Sequence, residues 1–354
     1  MRVELPSIVM KKNALNSLPI FLDHHSNCLL ISGEKSYGIA GKKIESLLIE
    51  KGHRTAKVFI KSASEEELKK ALKEAERIEA DVSIGIGGGK NIDIAKAVSF
   101  KLKIPFISIP TIPSHDGIAS NRAIISRGKE KYPLIGNLPK AVVADLDILT
   151  KAPLRYFSAG CGDVIAKKTA VLDWKLAREE KGEEFDEFIA DLCMMCADLI
   201  IKNSERFQEN FEDSVKLLIQ TLITCGISMA AVNSSRPCSG SEHAFCHALD
   251  YLYPENKALH GEKVALGTYI MSYLHGIDHS RIREALEAYG LPLNYKQMRV
   301  PREVLIEALV KAASIRKDKR FTILREGLSK EEAERLLTKL KIIYCLLYTS
   351  DAAD

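Results

Sequence analysis

Short apolar blocks recur through the first third of the chain, and each is followed by residues with helical spacing. Residues 28–33 form a continuous apolar run closed by Gly33, which predicts a buried strand and a turn. Residues 39–51 have the period of a helix, and 56–60 predict a second strand. Ser64 and Glu67 have the separation of a capping box, so a helix is expected from there to about residue 79. Residues 81–86 predict a third strand, running into Gly87, Gly88 and Gly89 and then a helix over about 91–100. Residues 105–110, bounded by prolines, predict a fourth strand. This βαβαβαβ order argues for an α/β fold, a doubly wound parallel sheet with helices on both faces.

The pattern then changes. Residues 122–125 and 141–145 are strand-like around a polar turn at Gly128. From Pro153 to about residue 340 the spacing is helical. The expected division is an α/β nucleotide-binding domain over 1–151 and an all-α domain over 152–343. Residues 344–354 break the amphipathic pattern before them and are expected to be a non-native or unstructured tail.

Composition narrows the class. The chain has 354 residues, 46% hydrophobic and 28% charged, which suits two globular domains and excludes collagen, coiled coil and disorder. The net charge of +4 comes from bases interspersed with acids, so no nucleic-acid-binding stripe is expected. The longest apolar run, 342–348, is far shorter than a bilayer span, and the first residues carry no signal-peptide core. A cytoplasmic protein is therefore expected. Its eight cysteines then read as free thiols. Cys193 and Cys196 have C-x-x-C spacing inside a helical pattern with no second pair, and read as core sulfur rather than a metal or redox site.

Three groups of residues carry candidate chemistry. The first is Gly87-Gly88-Gly89-Lys90-Asn91-Ile92-Asp93, a strand-to-helix turn. Glycines let backbone approach a pyrophosphate, and the free N–H groups of a helix start attract it. The motif is not G-x-G-x-x-G, and a tight structural turn would also explain it. The second follows the fourth strand: Thr111, Ile112, Pro113, Ser114, His115, Asp116 and, further on, Ser120. Its hydroxyls suit a cofactor and Asp116 suits a substrate hydroxyl, although an Asx turn would also use that aspartate. The third joins Asp163, His243 and His260 from separate segments, with His247 one helical turn after His243. Two imidazoles and a carboxylate match a divalent-metal site with an open position, whereas each histidine alone would read as structural.

In this order and spacing, the three groups resemble the glycerol-1-phosphate dehydrogenase family. That family lies within the wider group of iron-containing alcohol dehydrogenases, glycerol dehydrogenases and dehydroquinate synthases. The stretch from Ser114 to Ser120 is the narrower signal. Ala159-Gly160-x-Gly162-Asp163 and Glu242-His243-x-x-x-His247 with His260-Gly261-Glu262 resemble the metal signatures. The resemblance covers roughly residues 1–340.

It implies a dehydroquinate synthase-like fold and reduction of dihydroxyacetone phosphate to sn-glycerol 1-phosphate, the backbone of archaeal ether lipids. NADPH or NADH would sit on Gly87 to Asp93 with Thr111, Ile112, Pro113, Ser114 and Ser120. Zn²⁺, with Fe²⁺ or Ni²⁺ as alternatives, would sit on Asp163, His243 and His260. Asp116, Asp163 and His247 would contact substrate, and Asp116 or His247 would pass the proton. A homo-oligomer is also implied. Lys167 and Arg236 are positional candidates for the substrate phosphate, and each could equally pair with a structural acid. The second strand ends in Ile60-Lys61-Ser62 without an acid, so NADPH is expected to be accepted alongside NADH. The rivals are a glycerol dehydrogenase, a dehydroquinate synthase-type lyase and a non-enzymatic nucleotide-binding protein.

Overall fold

The computed structural model describes residues 5–128, 130–315 and 320–344, so the tail from Cys345 onward lies outside the described residues. Six parallel strands form the main sheet. Their order is β1 (Ser7–Lys11), β8 (Ala141–Asp145), β5 (Phe106–Pro110), β4 (Val82–Gly87), β2 (Asn27–Ser32) and β3 (Arg54–Phe59). In β2 the side chains alternate between two cores. Cys28 and Leu30 join a cluster with Ile84, Ile86 and Ile107, while Leu29 and Ile31 join one with Ile94, Ala97 and Val98. Both faces are covered, which is why this strand reads as an unbroken apolar run. The expected α/β architecture with a helical second part is the one observed.

The chain passes from β2 outward to β3, then returns across β2 to β4 and continues away to β5. The order therefore reverses between β2 and β4. Ligands of open α/β sheets bind outside the carboxyl ends of the strands at such a reversal. Here those ends carry Gly33 and the Gly87–Gly89 turn, and Asn91 Nδ2 donates to Ser36 Oγ across them at 3.1 Å.

One local reading is corrected, and the structure adds two strands that the pattern did not predict. Ser64 Oγ does accept from Glu67 N, at 3.4 Å, but the Glu67 carboxylate turns to Lys61 N at 2.9 Å, so only half of the capping box forms. Residues 122–125 and 141–145 are not partners. β6 (Arg122–Arg127) pairs antiparallel with β7 (Glu130–Ile135), and β8 enters the main sheet between β1 and β5. Pro133 and the polar start of β7 hide it from a propensity reading, whereas β8 is buried along its whole length. β1 went unread because it is a half-exposed edge strand without a clear apolar run.

Packing divides the described chain into two compact units. The first runs to Gly160 and takes in Arg206–Ser235; the second holds Cys161–Glu205 and the chain from Arg236 onward. This differs from a division at residue 151. The Phe211–Ala231 helix belongs with the sheet unit because it packs on the segment after β5: a Cβ on Gly226 would lie 2.7 Å from Asp116 O. That helix is also long and apolar enough to cross a membrane by length and composition. Two thirds of the apolar window is buried inside the protein, the state of a core helix. In the second unit Cys193 and Cys196 are both buried, and Cys193 Sγ lies 4.0 Å from Cys238 Sγ.

One buried cation ties the sheet unit together. Lys96, in the Gly89–Leu102 helix, is fully buried. Its ammonium donates to Gly117 O at 2.9 Å, Arg122 O at 2.7 Å and Ser120 Oγ at 3.2 Å. Loss of hydration lowers its pKa to about 8, with Asp93 and Asp116 pulling it back up. Lys96→Met should destabilise the protein by about 2–4 kcal/mol in denaturant titration, because two buried carbonyls lose their donor. The depressed pKa adds a signature. Between about 8 and the unfolded value of 10.5, the unfolded chain holds a proton that the folded chain lacks. Stability from this group therefore rises with pH across that window. Wild type should gain stability over Lys96→Met as pH rises there; parallel pH–stability curves would contradict the burial argument.

Candidate functional site

In the second unit, three helices bring Asp163, His243 and His260 together. Asp163 lies in the last turn of the Leu154–Ile165 helix. His243 lies in the first turn of the Ser241–Leu252 helix, and His260 opens the His260–Leu274 helix. Gly162 permits the approach, since a Cβ there would stand 2.7 Å from Gly261 O. One donor atom from each of the three residues lies within 4.8 Å of the other two. Asp163 Oδ1 is 3.7 Å from His243 Nε2 and 3.9 Å from His260 Nε2. A tetrahedral ion with nitrogen and oxygen ligands spaces them by about 3.3–3.6 Å. The two oxygen–nitrogen separations stand a few tenths of an ångström wider, so a small contraction would bring both imidazoles and Asp163 to an ion's spacing.

The surroundings of the three donors are unequal. Asp163 is buried, with the fully buried Lys167 ammonium 3.5 Å from Oδ1. His243 is buried, and its Nδ1 lies 2.7 Å from Glu242 Oε1. Burial alone would raise the Glu242 carboxyl, but bonds from His243 and Gly240 outweigh it and hold it down at about 2. The His260 side chain is 42% exposed, and its Nδ1 lies 3.5 Å from Cys246 Sγ. His247 sits one turn beyond His243, half-buried. Arg236 forms a two-pronged pair with Glu183 and donates to Phe321 O at 2.8 Å. Both candidate phosphate cations thus have a protein acid: Asp163 for Lys167 and Glu183 for Arg236.

The cofactor candidates lie in the first unit. Gly87 has φ +137°, and a Cβ there would lie 2.0 Å from Asn91 Nδ2, so only glycine serves. The turn leads into the Gly89–Leu102 helix, whose first turn carries no acid. Asn91 donates to Ile86 O at 2.8 Å, and its carbonyl oxygen is buried without a partner among the described residues. A cradle without side chains, a helix start and an orphaned acceptor fit a pyrophosphate-bearing ligand. Lys90 reaches back to Lys61 O at 2.9 Å. Ile92 is buried, and Asp93 accepts from Ile124 N at 3.3 Å. Loss of hydration raises the Asp93 carboxyl, while Lys96 and His115 lower it.

After β5, Thr111 N donates to Gly87 O at 3.1 Å, which ties this second segment to the glycine turn. Ile112, Pro113 and Ser114 follow, and Asp116 opens a short 3-10 turn through Ile118. His115 Nδ1 accepts from Gly117 N at 2.8 Å. The Ser120 hydroxyl is engaged by Lys96 and by the Arg122 backbone. The structure therefore gathers Asp163, His243 and His260 in one unit, and the glycine turn with the Thr111–Ser120 segment in the other. Sequence reasoning assigned no role to Ser36, Lys96, Glu242 or Cys246. Glu242 was within reach, being adjacent to His243; the others have no signal until the fold brings them into place.

Residues 9–153 match the family profile of iron-containing alcohol dehydrogenases. The chain is 42% identical over 317 residues to the glycerol-1-phosphate dehydrogenase of Methanosarcina mazei, covering 90% of this chain and 88% of that one. Its identity to the enzyme of the same name from Thermococcus sibiricus is 43% over 338 residues, 94% and 96% of the two chains. The chain belongs to the glycerol-1-phosphate dehydrogenase family. Membership makes it an oxidoreductase with a nicotinamide cofactor and a divalent metal. Its fold is shared with the glycerol dehydrogenase of Schizosaccharomyces pombe, at TM-score 0.78 and 19% identity over 96% of this chain and 90% of that one. It is shared also with an NADH-dependent butanol dehydrogenase of Thermotoga maritima, at TM-score 0.72 and 18% identity over 96% and 98%.

Within this family frame the glycine turn is open to direct test. Gly87→Ala should cost about 1–3 kcal/mol of stability through backbone strain. It should also weaken NADPH binding, measured by fluorescence titration, while zinc content stays at the wild-type level. Unchanged NADPH affinity in a folded variant would detach this turn from the cofactor.

Proposed function

We propose that the chain reduces dihydroxyacetone phosphate to sn-glycerol 1-phosphate with NADPH or NADH, at a divalent metal held by Asp163, His243 and His260. The observation that carries this reading is the convergence of the His243 and His260 imidazoles on one Asp163 oxygen. When bound, the metal supplies Lewis-acid polarisation of a carbonyl and the nicotinamide supplies hydride. Zn²⁺ suits the donor set first, and Fe²⁺ or Ni²⁺ fit the same atoms.

The chain's own residues do the rest. Three protein donors leave coordination open for substrate. Lys167 stays against Asp163, its ammonium 3.5 Å from Oδ1, and offsets the buried negative charge. Gly87 to Asp93 receive the cofactor pyrophosphate, and Thr111, Ile112, Pro113, Ser114 and Ser120 line its nicotinamide side. Asp116 binds a substrate hydroxyl. The His247 imidazole, or Asp116, passes a proton to the oxygen that becomes the product hydroxyl.

The likeness to glycerol-1-phosphate dehydrogenases at over 40% identity favours a phosphorylated substrate over free glycerol. The product would supply the glycerophosphate backbone of archaeal ether lipids. A cytoplasmic homo-oligomer completes the reading.

Dihydroxyacetone phosphate should drive NADPH or NADH oxidation at 340 nm, giving sn-glycerol 1-phosphate on an enantioselective assay. Stripping with a strong chelator should abolish the activity and added Zn²⁺ should restore it. No oxidation by metal-replete protein would end this reading, and activity with free glycerol and NAD instead would move the chain to the glycerol dehydrogenases. Cofactor choice has its own test. Exposed Lys61 lies two residues past β3, with Lys90 bonded to its carbonyl, so two cations are available for a 2′-phosphate. Lys61→Ala should raise the KM for NADPH several-fold and leave that for NADH nearly unchanged; an unaltered NADPH KM removes the assignment.

A further inference from the structure

We propose that Glu242 is a positioning residue for the metal centre: its carboxylate accepts a hydrogen bond from His243 Nδ1–H and so fixes the tautomer and ring angle that aim Nε2 at Asp163. This rests on the reading that Asp163, His243 and His260 hold a metal.

The bonds around Glu242 leave it no part as a ligand. Oε1 accepts from His243 Nδ1 at 2.7 Å and from Gly240 N at 2.6 Å, and Oε2 accepts from Thr169 Oγ1 at 2.8 Å. The side chain is fully buried. A buried carboxylate is costly unless donors surround it, and here three donors do, from three places in the chain. A neutral imidazole has one N–H and one lone pair. With the N–H given to Glu242, the lone pair is left on Nε2, the nitrogen 3.7 Å from Asp163 Oδ1. A carboxylate partner also makes that lone pair more basic, which strengthens it as a ligand.

The His260 ring is placed differently: its Nδ1 lies 3.5 Å from Cys246 Sγ and its side chain is far more exposed. The two imidazoles are therefore differently prepared. His243 is held in its ligating orientation by a buried acid, and Thr169 holds the acid.

The test measures zinc affinity of metal-stripped, full-length protein by competition with a chromophoric chelator. Glu242→Gln keeps the side chain's shape but lets an amide donor face His243 Nδ1, which favours the wrong tautomer. It should weaken zinc binding by about 10–100-fold. The melting temperature of the metal-free protein and its NADPH affinity should stay at wild type. Thr169→Val removes one donor from Glu242 without touching His243, and should weaken zinc in the same direction by a smaller factor. Unchanged zinc affinity in Glu242→Gln overturns the proposal. So does an affinity loss accompanied by an equal collapse of the metal-free fold. If Glu242→Gln does not fold, Thr169→Val decides: weakened zinc supports the proposal and wild-type zinc overturns it. A wild-type protein that takes up no zinc overturns the metal reading along with it, which distinguishes that failure from one confined to Glu242.

Discussion

A buried carboxylate in an unfavourable place governs the second unit. Asp163 is almost completely buried in the last turn of its helix, where the macrodipole repels negative charge. Such a group is tolerated only beside a cation. Lys167, one turn further along and itself fully buried, supplies one. Two imidazoles arrive at the starts of other helices, whose positive ends favour the anion. Asp163 is thus paired with Lys167 and faced by two ring nitrogens whose lone pairs need a further positive centre. A divalent ion held there, as proposed above, would supply that centre.

The sheet unit solves a different problem, the holding of irregular backbone. The segment after β5 has to leave the sheet as a loop, and its carbonyls are partly buried. Lys96 answers Gly117 O and Arg122 O from beneath, and Thr111 N fastens the loop start to Gly87 O. Both ties lead back to the β4 turn and its helix. The glycine turn and the Thr111–Ser120 segment are therefore one mechanical piece, although more than twenty residues separate them in sequence.

Much of this was legible in the sequence where one residue type has few alternatives. Apolar runs bounded by glycine or proline gave β2, β4 and β5, because strands buried on both faces have no room for polar positions. Gly87 to Gly89 marked the candidate cofactor turn, because a residue at φ +137° is hard to build otherwise. Histidine spacing with Asp163 marked the candidate metal donors once the family resemblance was added. Less was legible where an element is held by its neighbours. β1 and β7 owe their conformation to strand pairing, and the place of the Phe211–Ala231 helix in the sheet unit depends on what Gly226 touches. Glu67 illustrates the limit: its spacing from Ser64 was read correctly, but the carboxylate found Lys61 N instead.

The same distinction separates Glu242 from the residues around it. The adjacency of Glu242 and His243 is visible in the sequence, but not that the two side chains meet, because neighbours on a helix usually point in different directions. The burial of Glu242 becomes informative only when the turn at Gly240 and the hydroxyl of Thr169, more than seventy residues away, are seen to close around it. The fold encloses this carboxylate with donors and gives one of them, the His243 ring, a second nitrogen facing Asp163. An acid kept only for stability would need no such partner, since an apolar side chain of similar volume could fill the space at less cost. The fixed orientation of His243 is what the buried charge provides.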